Sequence, residues 1–209
     1  MTQQYGRNGG HLELVRRLRT RYSALIGREI SDLEVQVTNG TTQAINSALT
    51  ALVNPGDEVV VIEPFFDLYK MATNVLSGVL KYVSLIPSGT TANEWTLDMD
   101  ALRAAITPKT KVLIFNSPQN VPGKVYTRAE MAAIAEVVQE KDVFVIADEV
   151  YDRLTFDGCE HISIASLPGM WERTITVASS SKTLGTTGWK IGWGVGPAPL
   201  IKAMLQVQA

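Results

Sequence analysis

The sequence is poor in the residues that several kinds of site and scaffold require. Its single cysteine, Cys159, excludes an internal disulfide framework and favours a reducing compartment. Its two histidines, His11 and His161, argue against a catalytic histidine pair or a His-rich metal site. We therefore predict no metal and expect a cytoplasmic protein.

Long apolar runs and an excess of positive charge are also lacking. No stretch approaches the roughly 18 consecutive apolar residues of a membrane span, and the N-terminal residues have no signal-peptide pattern. The net charge is −2, so the sequence has no electrostatic footprint for nucleic acid. The basic cluster at 16–21 follows a helical pattern and is interpreted as a solvated face. We predict neither a membrane nor a nucleic-acid partner.

What the sequence does contain is an alternation of strand and helix patterns. Three short β-branched runs, 59–62, 111–115 and 142–147, are apolar at successive positions, which is typical of strands buried on both faces. Further strands are predicted at 80–84, 174–177 and 191–195, and helices at 12–25, 42–52, 98–106 and 127–140. The order predicts an α/β fold, a mainly parallel (mixed) sheet flanked by helices, with residues 1–209 as one domain.

Polar or special residues directly follow four of the predicted strands. In open α/β sheets the ligand crevice lies beyond the carboxyl ends of the strands, so these loops are expected to converge on one site. The four loops are 63–66, 116–118, 148–151 and 179–182.

The loop that ends in Lys182 carries the chemistry of most interest. Serines occupy 179–181, and Lys190 supplies a second cation further along the chain. A phosphate needs several donors and positive charge, and a lysine that forms a Schiff base needs a partly desolvated site. A lysine after a strand is otherwise an ordinary surface residue. The hydroxyls and the second cation favour a functional site at Lys182 over that interpretation.

Residues 179–193, SSSKTLGTTGWKIGW, resemble the lysine signature of class I aminotransferases of fold type I, which use pyridoxal 5'-phosphate (PLP). EPFFDLY at 63–69 and HISIASLPGMWERT at 161–174 resemble the branch of kynurenine aminotransferase, glutamine transaminase K and cysteine-conjugate β-lyase. Shorter matches in the same order lie at Tyr5, 40–42, 116–120 and 147–151. The resemblance implies the PLP-binding large domain of that fold, with the small domain absent.

The resemblance implies a role for each matching residue. Lys182 matches the lysine that carries PLP as a Schiff base and moves the Cα proton, and Asp148 matches the carboxylate that faces the pyridine nitrogen. Tyr151 and Asn120 match the partners of the phenolic oxygen, and Asn116 matches a residue near the substrate carboxylate. Without the resemblance, a helix cap at the end of a strand is the preferred interpretation of Asp148.

The ring and the phosphate have further matches. Phe66 matches the aromatic residue stacked on the pyridine ring, although core packing is the usual fate of such a residue. Phosphate binding is implied for Gly40, Thr41 and Thr42 at a helix start, and for Ser179 and Lys190. Tyr5 matches a tyrosine that reaches the phosphate of a neighbouring subunit, which implies a homodimer.

Two departures from the family pattern bear on activity. Val121 stands where the family has proline after the asparagine that matches Asn120, so we expect a trans peptide there and an altered position of Asn120. The sequence is shorter than family members at both ends, and no arginine matches the one that binds the substrate carboxylate.

We expect weak transamination of amino acids, with β-elimination as a side activity. Two alternatives stay open: a PLP-binding domain without turnover, and a fragment that holds no cofactor.

Overall fold

The computed structural model describes residues 5–208, and within that range helices and strands alternate as the sequence predicts. None of the helices in this range is both long and apolar enough to cross a membrane. The helices are α1 (Leu12–Ile26), α2 (Gly40–Leu52), α3 (Leu68–Val75), α4 (Met99–Ala105), α5 (Arg128–Glu140), α6 (Ser180–Thr183) and α7 (Ala198–Gln208). The strands are β1 (Val35–Asn39), β2 (Glu58–Glu63), β3 (Val79–Ile86), β4 (Thr96–Leu97), β5 (Thr110–Asn116), β6 (Phe144–Asp148), β7 (Thr174–Ser179) and β8 (Ile191–Val195).

The strands form one mixed sheet in the order β1-β8-β7-β6-β5-β2-β3-β4. The central strands β3, β2, β5, β6 and β7 are parallel, whereas β8 runs antiparallel to both of its neighbours and β4 runs antiparallel to β3. Asn116 at the end of β5 pairs in register with Asp148 at the end of β6. The predicted α/β class with a mainly parallel sheet is confirmed.

Apolar clusters cover both faces of the central strands, which explains why those strands are apolar at successive positions. Leu113 and Phe115 of β5 face a cluster that includes residues of α4 and α5. Val112 and Ile114 of the same strand face α2, α3 and α7. A third cluster joins α1 to β1 and β8, where the Trp193 indole N–H donates to the Tyr22 hydroxyl at 2.8 Å.

Local signals in the sequence fix the beginnings of two helices. Thr127 caps α5 and accepts from the Glu130 amide at 3.2 Å, while the Glu130 carboxylate accepts from the Thr127 amide at 2.8 Å, which completes the capping box. Asp98 caps α4 by accepting from the amides of Asp100 and Ala101.

Strands β1 and β4 and helices α3, α6 and α7 have no counterpart in the sequence-based prediction; α6 stands where a loop was predicted. Strand β1 was not predicted because its buried positions include the polar residues Gln36 and Thr38, which break the apolar pattern. Gln36 hydrogen-bonds Gln208 at the end of α7, and Thr38 donates to the Gly40 carbonyl at 2.9 Å. The Gln36 partner lies 172 residues away in the sequence, so periodicity gives no sign of it, and the Gln36 Oε1 atom is buried without a partner among the described residues.

Gly192 of β8 allows the start of α2 to lie directly on the sheet. A Cβ at this position would fall 2.6 Å from the Thr41 amide nitrogen and closer still to the Gly40 carbonyl carbon.

Backbone atoms cannot move aside as a flexible side chain does, so Gly192→Ala is expected to destabilise the fold by about 1–3 kcal/mol, the usual cost of overpacking. Urea denaturation measures this loss. Gly188→Ala is the matched control, since no atom lies within 4 Å of its added methyl; equal losses in the two variants would contradict the close approach.

Candidate functional site

A cavity of about 280 Å³ lies beyond the carboxyl ends of β5, β6 and β7, against the start of α2. It gathers every residue that the sequence placed in the site except Tyr5. The predicted residues that line it are Gly40, Thr41, Thr42, Phe66, Asn116, Asn120, Asp148, Tyr151, Ser179, Lys182 and Lys190. The cavity is also lined by residues that the sequence did not single out, namely Ile45, Leu68, Tyr69, Val150, Ser181 and Thr187.

Asp148 is a buried carboxyl group at the end of β6. Its Oδ2 accepts a hydrogen bond from the Tyr69 hydroxyl at 2.7 Å, and its Oδ1 accepts from the Val150 amide at 3.2 Å. Burial raises the pKa of Asp148 to about 6, although these two hydrogen bonds act in the opposite direction. The cavity therefore contains a fixed acidic group that ionises close to neutral pH.

Tyr69 is the functional residue that sequence reasoning missed. It lies on α3, which the sequence pattern did not reveal, and it is the last residue of the EPFFDLY match. Burial, followed by the charge of Asp148, raises the pKa of Tyr69 well above its ordinary value, so the phenol keeps the proton that it donates. The position of Tyr69 in the EPFFDLY match was the one signal in the sequence that could have indicated its role.

The two asparagines are linked to each other and to β6. The Asn116 side-chain amide donates to the Asp148 carbonyl at 2.7 Å, and its Oδ1 accepts from the Asn120 amide at 2.6 Å. The Asn120–Val121 peptide is trans, as expected, and Val121 has a φ of 82° with an exposed side chain. Asn120 nevertheless lines the cavity, because Asn116 holds its backbone.

The start of α2 forms a corner suited to an anion. Gly40 opens the helix with a φ of 74°, and the buried Thr41 Oγ1 has no hydrogen-bond partner among the described residues. The Lys190 side chain passes this point, with its Cδ 3.8 Å from where a Cβ of Gly40 would lie. Ser179 lies beside α6 and caps it by accepting from the Ser181 amide at 3.3 Å. The N-terminus of α2, the free Thr41 hydroxyl and the Lys190 ammonium group together favour the binding of a negatively charged group.

Three further predicted residues, Lys182, Phe66 and Tyr151, line the cavity and are at least partly exposed to solvent. Lys182 is exposed in the single chain, and the partly desolvated site that the sequence predicts for it stays a prediction. Phe66 is also exposed, which excludes core packing, and its ring meets that of Tyr69 edge-on at 6.1 Å. Burial and then the charge of Asp148 raise the pKa of Tyr151, which keeps this phenol protonated as a donor.

Tyr5 does not join the cavity. Its side chain is fully exposed, so none of the residues that the structure describes packs against it. Among residues 5–208, no group of three or more His, Cys, Asp or Glu side chains is arranged to hold a metal ion.

The raised pKa of Asp148 predicts a pH-dependent stability. As pH rises from about 4 to 6 the unfolded chain loses this proton before the folded chain does, so the carboxyl group lowers the free energy of unfolding above pH 6. Asp148→Asn should therefore be more stable than the wild type at pH 8, by on the order of 2 kcal/mol, and equally stable below pH 4. Urea denaturation across this range tests it, with the exposed Asp67→Asn as the control substitution. A destabilised Asp148→Asn protein at pH 8 would contradict the assignment.

Comparison with known proteins agrees with the resemblance read from the sequence. Residues 1–209 match the family model described as aminotransferase class I and II. The chain is similar to the kynurenine–oxoglutarate transaminase of Dictyostelium discoideum, with 42% identity over 96% of this chain and 49% of that protein. It is 44% identical to human kynurenine–oxoglutarate transaminase 1, over 99% of this chain and 51% of that protein.

A solved structure agrees as well. N-succinyldiaminopimelate aminotransferase from Mycobacterium tuberculosis superposes with a TM-score of 0.93 and 42% identity, over 99% of this chain and 53% of that one. The chain spans about half the length of the curated relatives that it matches. With a matching family model over its whole length and this shared fold, the chain belongs to the aminotransferase class I and II family.

Proposed function

We propose that residues 1–209 form the PLP-binding large domain of a transaminase, which acts on amino acids and 2-oxo acids. The observation that carries this proposal is the single cavity that brings together an anion corner, a buried carboxyl group and a lysine. Each of these three features matches one part of PLP: its phosphate, its ring nitrogen and its aldehyde. The kynurenine–oxoglutarate transaminases among the relatives suggest kynurenine and 2-oxoglutarate as the first substrates to test.

The anion corner fits a phosphate group. The buried Thr41 hydroxyl has no partner among the described residues and is available as a donor. Backbone amides at the start of α2 and the Lys190 ammonium group add further donors and charge. Thr42 and Ser179, which also line this cavity, would complete the phosphate shell.

Asp148 fits the partner of a protonated ring nitrogen. When bound, PLP supplies an electron sink for the carbanion formed at the amino-acid Cα, and this requires the ring nitrogen to be protonated. Asp148 would hold that proton by an ion-paired hydrogen bond. Tyr69 and the Val150 amide fix the orientation of the carboxylate. Phe66 would lie against the ring, at the exposed side of the cavity.

Lys182 is the group that would bond to the PLP aldehyde as a Schiff base. Once the substrate amino group has displaced it, the freed Lys182 amine would take and return the proton at the substrate Cα. Tyr151 and Asn120, on neighbouring walls, would donate hydrogen bonds to the phenolic oxygen. Asn116, which anchors Asn120, would lie near the substrate carboxylate.

A homodimer is part of the proposal. Tyr5 is fully exposed and does not line the cavity of its own chain, which supports its reaching the phosphate of a second copy. Trp189 and Leu184, close to the site in sequence, are also exposed large apolar side chains that a second copy would cover. The cytoplasmic location stays a prediction from cysteine usage.

PLP binding with little turnover is the second candidate, and the exposure of Lys182 and Phe66 favours it. Water that reaches the reacting atoms and a substrate held loosely both raise the barrier to proton transfer at Cα. Transamination by this chain is therefore expected to be weak, with β-elimination from cysteine conjugates as a side activity.

Lys182 is testable by trapping. PLP added to the wild-type chain should give a visible absorption band that borohydride abolishes, and peptide mapping should then find the pyridoxyl group on Lys182. Lys182→Ala should lack the band, whereas Lys202→Ala, an exposed position on α7, should keep it. Trapping of Lys190 in the wild type, or an undiminished band in Lys182→Ala, would refute the assignment.

Single-turnover reaction separates enzyme from binder. Kynurenine, glutamine or phenylalanine added to the PLP-loaded chain should convert the cofactor to its amine form, followed by its absorption spectrum. Asp148→Ala should keep measurable PLP affinity but lose at least about tenfold in this rate, because the electron sink is weakened. If the PLP-loaded wild-type chain converts none of its cofactor, the enzyme proposal is contradicted and only the PLP-binding function remains.

A further inference from the structure

A second buried polar cluster lies next to Asp148, and the proposed chemistry does not use it. Glu149 and His161 have side chains that are only 2% and 5% exposed, with His161 Nε2 3.0 Å from Glu149 Oε2. The Ser163 hydroxyl donates to Glu149 Oε1 at 2.7 Å. Both oxygens of this carboxylate are therefore held by side chains of the 161–163 segment.

The cluster is coupled to the cavity through the backbone of β6. Asp148 and Glu149 are consecutive, and the Glu149 amide continues the ladder by donating to the Val177 carbonyl at 2.9 Å. Because side chains alternate along extended backbone, the two carboxyl groups leave it on opposite sides. Asp148 reaches Tyr69 on α3, whereas Glu149 lies with His161 and near Tyr22 of α1.

Charge balance at this point depends on His161. The neighbouring cation on α1, Arg21, forms an ion pair with Asp152. Within residues 5–208, His161 is the one basic side chain in ion-pair contact with Glu149, and its buried Nδ1 has no hydrogen-bond partner. The cleft beside the ring is also lined by Arg153, Cys159 and Glu160. A buried carboxylate without a cation is costly, and a second carboxylate next to it increases the cost.

We propose that His161 is a positioning residue that pairs as a cation with Glu149, so that the adjacent Asp148 stays ionised toward the cavity. Burial acts to lower the pKa of His161, but the hydrogen bond and the charge of Glu149 outweigh it, and the net pKa is raised. The charge of Glu149 in turn contributes to the raised pKa of Asp148. The inference rests on the proposed function only in assigning Asp148 to the ring nitrogen.

The first test uses the chain without PLP, so failure to bind cofactor cannot be mistaken for failure of this proposal. Carboxyl ¹³C NMR of aspartate-labelled protein reports the ionisation of Asp148, and Asp148→Asn assigns its signal. His161→Gln should shift the Asp148 midpoint upward by roughly half a pH unit or more, because Glu149 is left unpaired. Glu149→Gln should shift it downward.

The double variant distinguishes charge from packing. In His161→Gln/Glu149→Gln both charges are gone, so the Asp148 midpoint should return to or below the wild-type value, even though two native side chains are lost. A structural role alone would leave the midpoint unmoved in His161→Gln while the melting temperature falls. An unchanged midpoint, or a double variant shifted further upward than His161→Gln, would overturn the proposal.

A measurement on the wild-type chain covers the case in which the variants do not fold. Imidazole ¹⁵N NMR across a pH titration should show the His161 ring losing its proton with a midpoint above about 6.5, the ordinary value. The exposed His11 is the internal reference. A His161 midpoint at or below about 6.5 would overturn the proposal without any substitution.

Discussion

In-register parallel pairing of β5, β6 and β7 determines where the acidic group, the lysine and the asparagine loop of the cavity lie. Asn116 and Asp148 end adjacent strands at the same level, and the Asn116 amide donates across to the Asp148 carbonyl. The same edge delivers Ser179 from β7 and, one helical turn later, Lys182. Gly192 then lets the start of α2 close the opposite wall. Without that shared edge, these residues would be ordinary strand ends and loop positions.

Burial of charge is the constraint that this arrangement creates. Two consecutive carboxyl groups at the end of β6 are removed from water, and each is held by its own partners. Tyr69 and a backbone amide hold Asp148, while His161 and Ser163 hold Glu149. The site thus gives up folding stability to keep an acidic group that ionises near neutral pH, as is common where chemistry depends on a perturbed pKa.

The sequence predicts the central strands, the fold class and the convergence of the loops, because apolar runs and strand ends are local signals. It does not predict Tyr69, whose role comes from a hydrogen bond to Asp148, 79 residues away in the sequence. Strand β1 is not predicted because its buried positions include the polar residues Gln36 and Thr38, and the Gln36 amide donates to Gln208, 172 residues away in the sequence. The exposure of Lys182 could not be predicted either, because the hydroxyl groups next to it in the sequence do not indicate how much solvent reaches it in the fold.

The central claim is that Asp148 and Lys182 face the two ends of one bound PLP ring. A diffraction structure of the chain crystallised with PLP tests it most directly. The account predicts continuous density from Lys182 Nζ to the cofactor, with the ring nitrogen within hydrogen-bond distance of Asp148 and the phosphate at Gly40 and Thr41. Cofactor bonded to Lys190, or a ring nitrogen facing away from Asp148, would contradict it.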